Sequence, residues 1–174
     1  MGAGSLMIIC VASAVGRGPT PLAAFDAALV AAGVADRNLM YLSSVLPPAS
    51  SVRQVDRIVH APGGWGDRLY CVMAQAQAEV PGAQAWAGVG WVQDASGRGL
   101  LVEHCGGDEV SLRALVRASL DGLCRNRGVS FPSGGIEVAG ARCVDEPVCA
   151  LVVAVFEAAA WASAGRLAGA VASA

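Results

Sequence analysis

The chain is short of charge and of aromatic rings. Only 15% of its 174 residues are charged and 5% are aromatic, against 55% apolar, and the formal net charge is -2. No basic stripe exists to neutralise phosphates, which excludes nucleic acid as a partner class. The six cysteines (Cys10, Cys71, Cys105, Cys124, Cys143, Cys149) include no CxxC pair and no neighbouring His at ligand spacing, so neither zinc nor a disulfide framework is expected. Five of them sit in apolar runs or on helix faces, where a reduced thiol behaves as a small hydrophobe. Cys105, following Glu103 and His104, is the one thiol in a polar setting.

Long apolar runs are also missing. Residues 148–174 are apolar but interrupted by Glu157 and Arg166, and a membrane helix needs roughly 20 predominantly apolar residues. Residues 6–14, with Ala12-Ser13-Ala14, imitate a signal peptide but lack a basic segment ahead of them, so a first strand is the better reading. No membrane partner and a cytoplasmic location are expected. No GxGxxG opens a helix, and Pro62-Gly63-Gly64-Trp65-Gly66 reads as a loop at a subunit boundary, not a nucleotide cradle. There is no internal repeat and no linker.

What is present is enough apolar material for one domain, residues 1–174, with a sizeable core. So little charge leaves apolar surface that self-association hides. Strands are expected over residues 6–13, 38–43, 69–76, 84–92, 100–105, 136–143 and 149–156. Helices are expected over 21–32 and 111–127. The first has Thr20 as N-cap, Pro21 at its first position and Gly33 as its stop, and its apolar face reads as Leu22, Phe25, Leu29 and Val30. The second carries Leu112, Leu115, Val116 and Leu120 on one face. A loop spans 49–67, and an Ala-rich helix closes the chain as a C-terminal extension over 157–174. The fold class is α+β, sheets inside and helices outside.

The chemistry concentrates in residues 38–48, Asn-Leu-Met-Tyr-Leu-Ser-Ser-Val-Leu-Pro-Pro. A strand-like run ends in two serines before a rigid double proline. There the Ser44 hydroxyl can add to the Ser43 carbonyl, exchanging the amide for an ester. β-Elimination then cuts the chain and leaves dehydroalanine at Ser44, which hydrolyses to an N-terminal pyruvoyl group. On its own the dipeptide also reads as an ordinary turn. Ser50-Ser51, the same dipeptide in an open loop with no strand leading in, is the internal control.

Three blocks in register carry a resemblance. Gly18 to Gly33 includes Pro-Leu-Ala-Ala-Phe-Asp, residues 38–48 join an Asn-Leu strand to Ser-Ser-Val-Leu-Pro-Pro, and Leu-Val-Glu-His occupies 101–104. Together they resemble the pyruvoyl-dependent arginine decarboxylases, over residues 6 to about 154. The resemblance implies a four-layer α/β/β/α sandwich and cleavage between Ser43 and Ser44 into a β chain, 1–43, and an α chain, 44–174. It also implies a covalent pyruvoyl cofactor made from Ser44, which acts as an electron sink, and a homotrimer of αβ units with active sites between neighbours. The implied reaction takes L-arginine to agmatine and carbon dioxide. Glu103 matches the family's proton donor, and Leu100-Leu101-Val102 gives it an apolar approach. Asn38 matches an asparagine near the processing site, and Asp26 the acid that receives the guanidinium. Leu29, one turn on, walls the pocket or packs the core. Read from the residues alone, Asp26 and Glu103 are also consistent with solvent-facing acids, His104 with a structural role, and Trp86 and Trp91 with sheet core or a trimer interface. The same fold acting on another amino-acid-derived substrate, or an unprocessed homologue, are the alternative readings.

Overall fold

A computed structural model describes residues 6–59 and 64–161. The order of elements is β1 (Met7–Arg17), α1 (Pro21–Ala32), β2 (Asn38–Tyr41), β3 (Val45–Leu46), β4 (Ser50–Gln54), β5 (Arg68–Ala78), β6 (Gln84–Gln93), β7 (Gly99–Gly106), α2 (Glu109–Arg127), β8 (Ser133–Arg142) and β9 (Val148–Ala159). The class is mixed α/β, with two sheets and two helices. One sheet runs β2-β5-β9-β1-β4 and the other β3-β7-β6-β8.

β9 organises the first sheet. It lies antiparallel between β5 and β1, and Val148 to Val155 are all buried. Alternate side chains go to opposite faces of a strand. Val148, Ala150, Val152 and Ala154 therefore pack with Val72, Val89 and Leu101 between the two sheets. Cys149, Leu151, Val153 and Val155 pack instead with Ala24, Ala28 and Leu29 beneath α1. A strand covered on both faces reads as a continuous apolar run, not an alternating one, which is how this segment is written. A third cluster joins Val102 of β7 to Leu112, Val116 and Leu120 of α2. Across the sheets, Glu137 of β8 accepts from Ser13 Oγ and Gln54 Nε2, both at 2.6 Å.

Both helices begin and end as capped segments. Thr20 Oγ1 accepts from Ala23 N–H and Gly33 sits at φ 85°, as the sequence predicts for α1. Its buried face matches the prediction only in part: Leu29 is buried and Phe25 packs partly buried beside it. Ala24, Ala28, Leu29 and Ala32 are buried, whereas Leu22 and Val30 are 74% and 51% exposed. The reason is proximity: a Cβ on Gly16 of β1 would lie 2.1 Å from the Ala24 carbonyl oxygen, so small residues face β1 where the helix crosses it. α2 begins two residues earlier than expected because Asp108, whose Oδ1 accepts from Ser111 N–H at 2.9 Å, is its cap. Leu115 faces outward on it, 46% exposed.

Three further expectations need correction. β1 continues through Gly16 to Arg17 and β9 to Ala159. Ser50-Ser51 is not in an open loop: it begins β4, parallel to β1, and Ser50 Oγ is buried against Gly97 O. The expected strand over 38–43 stops at Tyr41. Trp91 is buried between the sheets, in the core, and Trp86 is half-buried and packs toward α2. The expected Ala-rich helix lies outside the described residues beyond Trp161, and Pro62-Gly63 also falls outside them.

Burial without a hydrogen-bonded partner charge pushes the Cys71 and Cys149 thiols up to about 11, and the thiolate is the reactive form. Thiol-alkylation mass mapping of the native protein at pH 8 should therefore label exposed Cys105 first and leave Cys71 and Cys149 unlabelled until denaturant is added.

Candidate active site

Between Tyr41 and Val45 the chain changes sheets. β2 ends the first sheet beside β5, and β3 ends the second beside β7. Leu42, Ser43 and Ser44 are the crossing. Leu42 N–H still donates to Cys71 O at 3.0 Å, on the side being left, while Leu101 N–H donates to Ser44 O at 2.9 Å, on the side being joined. Ser44 N–H turns back to Leu42 O at 3.2 Å. Leu46 anchors the far end, fully buried between the sheets. Pro47-Pro48 and Ala49 then carry the chain away, Ala49 at a left-handed φ of 56°. Its N–H donates to Ser96 O at 2.7 Å, and its carbonyl accepts from Met7 N–H at 2.9 Å. The Ser43–Ser44 peptide is thus held at both ends and free of ladder pairing in its middle.

The Ser44 hydroxyl donates to Glu103 Oε2 at 2.8 Å. β7 places Glu103 two residues past Leu101, so the same strand holds the Ser44 carbonyl and the Ser44 hydroxyl. A cavity of about 560 Å³ opens here, between the crossing, β7 and α2. Leu101, Val102 and Leu123 are among its walls, and Asn126 and Arg127 stand on its α2 side. His104 borders it too, but its Nε2 is 2.7 Å from Ser119 Oγ on α2, a contact that ties strand to helix. Glu103 is exposed to solvent in the single chain: the apolar residues before it point into the core and leave its own carboxyl group at the rim.

The other residues singled out in the sequence lie elsewhere in the chain. Asn38, at the start of β2, is exposed, and its amide Nδ2 donates to Gly66 O. Asp26 is exposed on α1, and Leu29 is in the core beneath that helix. None of the three lines the cavity of Ser44 and Glu103. Sequence reading missed the partners that fix the surroundings, namely Ser119 for His104 and Gly66 for Asn38. Gly66 O also accepts from Trp161 Nε1 at 2.9 Å, and the Trp161 ring stacks on the Arg68 guanidinium at 4.9 Å. These contacts join residues far apart in the chain and leave no local signal. Among the described residues no group of three or more His, Cys, Asp or Glu side chains is placed to hold a metal, and no helix is long and apolar enough to cross a membrane.

The family of pyruvoyl-dependent arginine decarboxylases matches residues 8–159. The chain belongs to that family. Its members depend on a covalently bound pyruvoyl group, which is a modified chain end and needs no separate binding pocket. The site suits it: Ser44 sits on a strand-free crossing, with its hydroxyl on a carboxylate and its carbonyl on a backbone N–H. Among relatives, the pyruvoyl-dependent arginine decarboxylase of Halobacterium salinarum is 42% identical over 90 residues, 51% of this chain and 54% of that one. Matched this way, the chain spans about half the length of the Halobacterium relatives. The Methanopyrus kandleri protein of the same name is 35% identical over 117 residues, 67% of this chain and 73% of its own. The Thermococcus kodakarensis one is 31% identical over 150 residues, 83% and 91%. The family match ends at residue 159, so the Trp161 contacts fall outside it.

Trp161→Phe keeps the ring over Arg68 and removes only the N–H to Gly66 O. One such hydrogen bond is worth about 0.5–1.5 kcal/mol net, and chemical denaturation should show a loss in that range.

Proposed function

We propose that this chain cleaves itself between Ser43 and Ser44 and then decarboxylates L-arginine to agmatine and carbon dioxide. The observation that carries the proposal is the 2.8 Å hydrogen bond from the Ser44 hydroxyl to Glu103, at a crossing that keeps the adjoining peptide out of the sheet ladders. Glu103 is placed to take the hydroxyl proton as Ser44 Oγ adds to the Ser43 carbonyl, which is general base work within hydrogen-bond reach. Bound pyruvoyl supplies an electron sink for the bond to carbon dioxide. The basic side chains here are all arginine, so the 174 residues offer no lysine amine for a pyridoxal cofactor, and an electrophile drawn from the backbone suits such a chain. Glu103 returns a proton to the substrate's α-carbon, beside a cavity whose walls include Leu101, Val102 and Leu123.

Asp26 and Asn38 act from a neighbouring copy in this account. The outward face of α1 presents Asp26 with exposed Leu22 and Val30 one turn to either side, and such a face in a chain of low charge is suited to an interface. A homotrimer of αβ units would bring Asp26 to the neighbour's cavity, cover the exposed Glu103 and give it apolar surroundings. Leu29 then supports α1 from beneath and does not wall the pocket. The three apolar clusters, one between the sheets and one under each helix, support the four-layer α/β/β/α arrangement of the pyruvoyl-dependent decarboxylases. A cytoplasmic location completes the proposal. A second reading is favoured by one observation: no acid other than Glu103 lines the Ser44 cavity in the single chain. With no cation anchor there, another amino-acid-derived substrate is the alternative.

Release of labelled carbon dioxide separates the two. With purified protein, arginine should outpace ornithine, lysine, histidine and aspartate, and Ser44→Ala should release none. Glu103→Gln keeps an acceptor for the Ser44 hydroxyl but cannot cycle a proton, and a lost general acid costs roughly 10²–10⁴-fold in rate.

A further inference from the structure

Past β9 the chain makes a contact that reaches back to Asn38. The family match stops at residue 159, and the next two residues lie against the start of β5. At that end of the first sheet three strands share one rung. Asn38 of β2 pairs with Arg68 of β5, and Arg68 pairs with Ala159 of β9. Arg68 seats the chain as it leaves β9: its Nη2 donates to Ala160 O at 2.8 Å, and its guanidinium lies 4.9 Å from the centre of the Trp161 ring. A planar guanidinium stacks on an aromatic face, so the ring is oriented as well as held. From that position the indole N–H donates to Gly66 O at 2.9 Å.

Gly66 O is also the acceptor for the Asn38 side-chain amide. A carbonyl oxygen has two lone pairs, enough for both donors. The turn that carries this oxygen is tied down around Asn38. Gly66 sits at a left-handed φ of 79° and its N–H donates to Asp36 O at 2.8 Å. The backbone N–H of Asn38 donates to Asp67 O at 2.8 Å, and Asp67 Oδ2 accepts from Gly64 N–H at 2.6 Å. Asn38 is exposed at the start of an edge strand. An exposed amide without such a tie samples several rotamers, and fixing one costs entropy.

We propose that Trp161 is a positioning residue for Asn38 in self-cleavage. The indole N–H holds the Gly66 carbonyl in the orientation that receives the Asn38 amide, and Arg68 holds the indole. One N–H of that amide is spent on Gly66 O, which leaves the second N–H for the carbonyl of Ser43 of the partner subunit. There it stabilises the negative oxygen that forms as Ser44 Oγ adds, and a donor fixed beforehand does so at no cost of reorganisation. The inference rests on the self-cleavage reading and deepens it. It makes the rate of processing depend on how the chain seats its own end, through a residue beyond the family match.

The rate of cleavage of freshly purified full-length chain, followed by intact mass, reads this out. Trp161→Phe keeps the ring over Arg68 and should slow cleavage roughly three- to tenfold, one hydrogen bond expressed as a rate ratio. Asn38→Ala should slow it further, and adding Trp161→Phe to Asn38→Ala should change the rate by less than about twofold, because residues acting through one contact are not additive. The same fold-loss from Trp161→Phe in both backgrounds would mean a merely structural tryptophan and overturns the proposal. In Ser44→Ala protein, where nothing is cleaved, the nitrogen–proton NMR resonances of the Asn38 side-chain amide should move on Trp161→Phe, and unmoved resonances also overturn it. If the wild-type chain cleaves and Trp161→Phe is no slower, this inference falls and the self-cleavage reading stands. If the resonances move but the wild-type chain stays whole, the tie between Trp161 and Asn38 stands and that reading falls.

Discussion

One crossing governs this structure. The chain leaves the first sheet at Tyr41 and enters the second at Val45, and the hydrogen bond from Leu101 N–H to Ser44 O fixes where the second begins. Inside a strand the serine peptide would have its groups paired and its carbonyl shielded. In a free loop it would sample many geometries, and ordering it would cost backbone entropy of about 1–2 kcal/mol per residue. The crossing avoids both outcomes: Ser44 is fixed by Leu42, Leu101 and Glu103 while the peptide before it stays out of the ladders. The double proline and the left-handed Ala49 keep the exit from slipping back into register.

The crossing holds its position because the two sheets do. β9, buried on both faces, is the wall against which β5 and β1 align. α1 closes on the first sheet so tightly that glycine faces alanine, and α2 closes on the second over Gly90, where a Cβ would lie 2.3 Å from Val116 Cγ1. Small residues in place of large ones shorten the distance between layers, and interiors at close-packed density transmit such constraints with little slack. Glu103 and Leu101 are set by β7, which is itself pinned between β3 and β6. The hydroxyl–carboxylate contact is thus a consequence of strand register.

Much of this was legible in the sequence for physical reasons. The Thr20 and Gly33 caps of α1 are local chemistry and appear as written, and the apolar run of β9 announces a strand covered on both faces. The pairing of Ser44 with Glu103 needed the family resemblance, since nothing in either segment points to the other. Three features stayed hidden. The inward face of α1 is mostly alanine because of a glycine on another strand. β4 forms by pairing with β1, although its residues read as loop. The bulge opposite Tyr70 and Cys71 is a property of two strands together, and exposed Glu157 beside it looks in the sequence only like an interruption in an apolar tail. Asp26 and Asn38, matched by motif, stand away from the Ser44 cavity in one chain, Asp26 on the outward side of α1 and Asn38 at the start of an edge strand.

Intact-mass analysis of the purified protein tests the central claim most directly. The account predicts two species, one ending at Ser43 and one beginning at position 44 with a pyruvoyl group that hydride reduction shifts in mass. A single uncleaved species of full length, unchanged by hydride after incubation at the temperature of the assay, would contradict it.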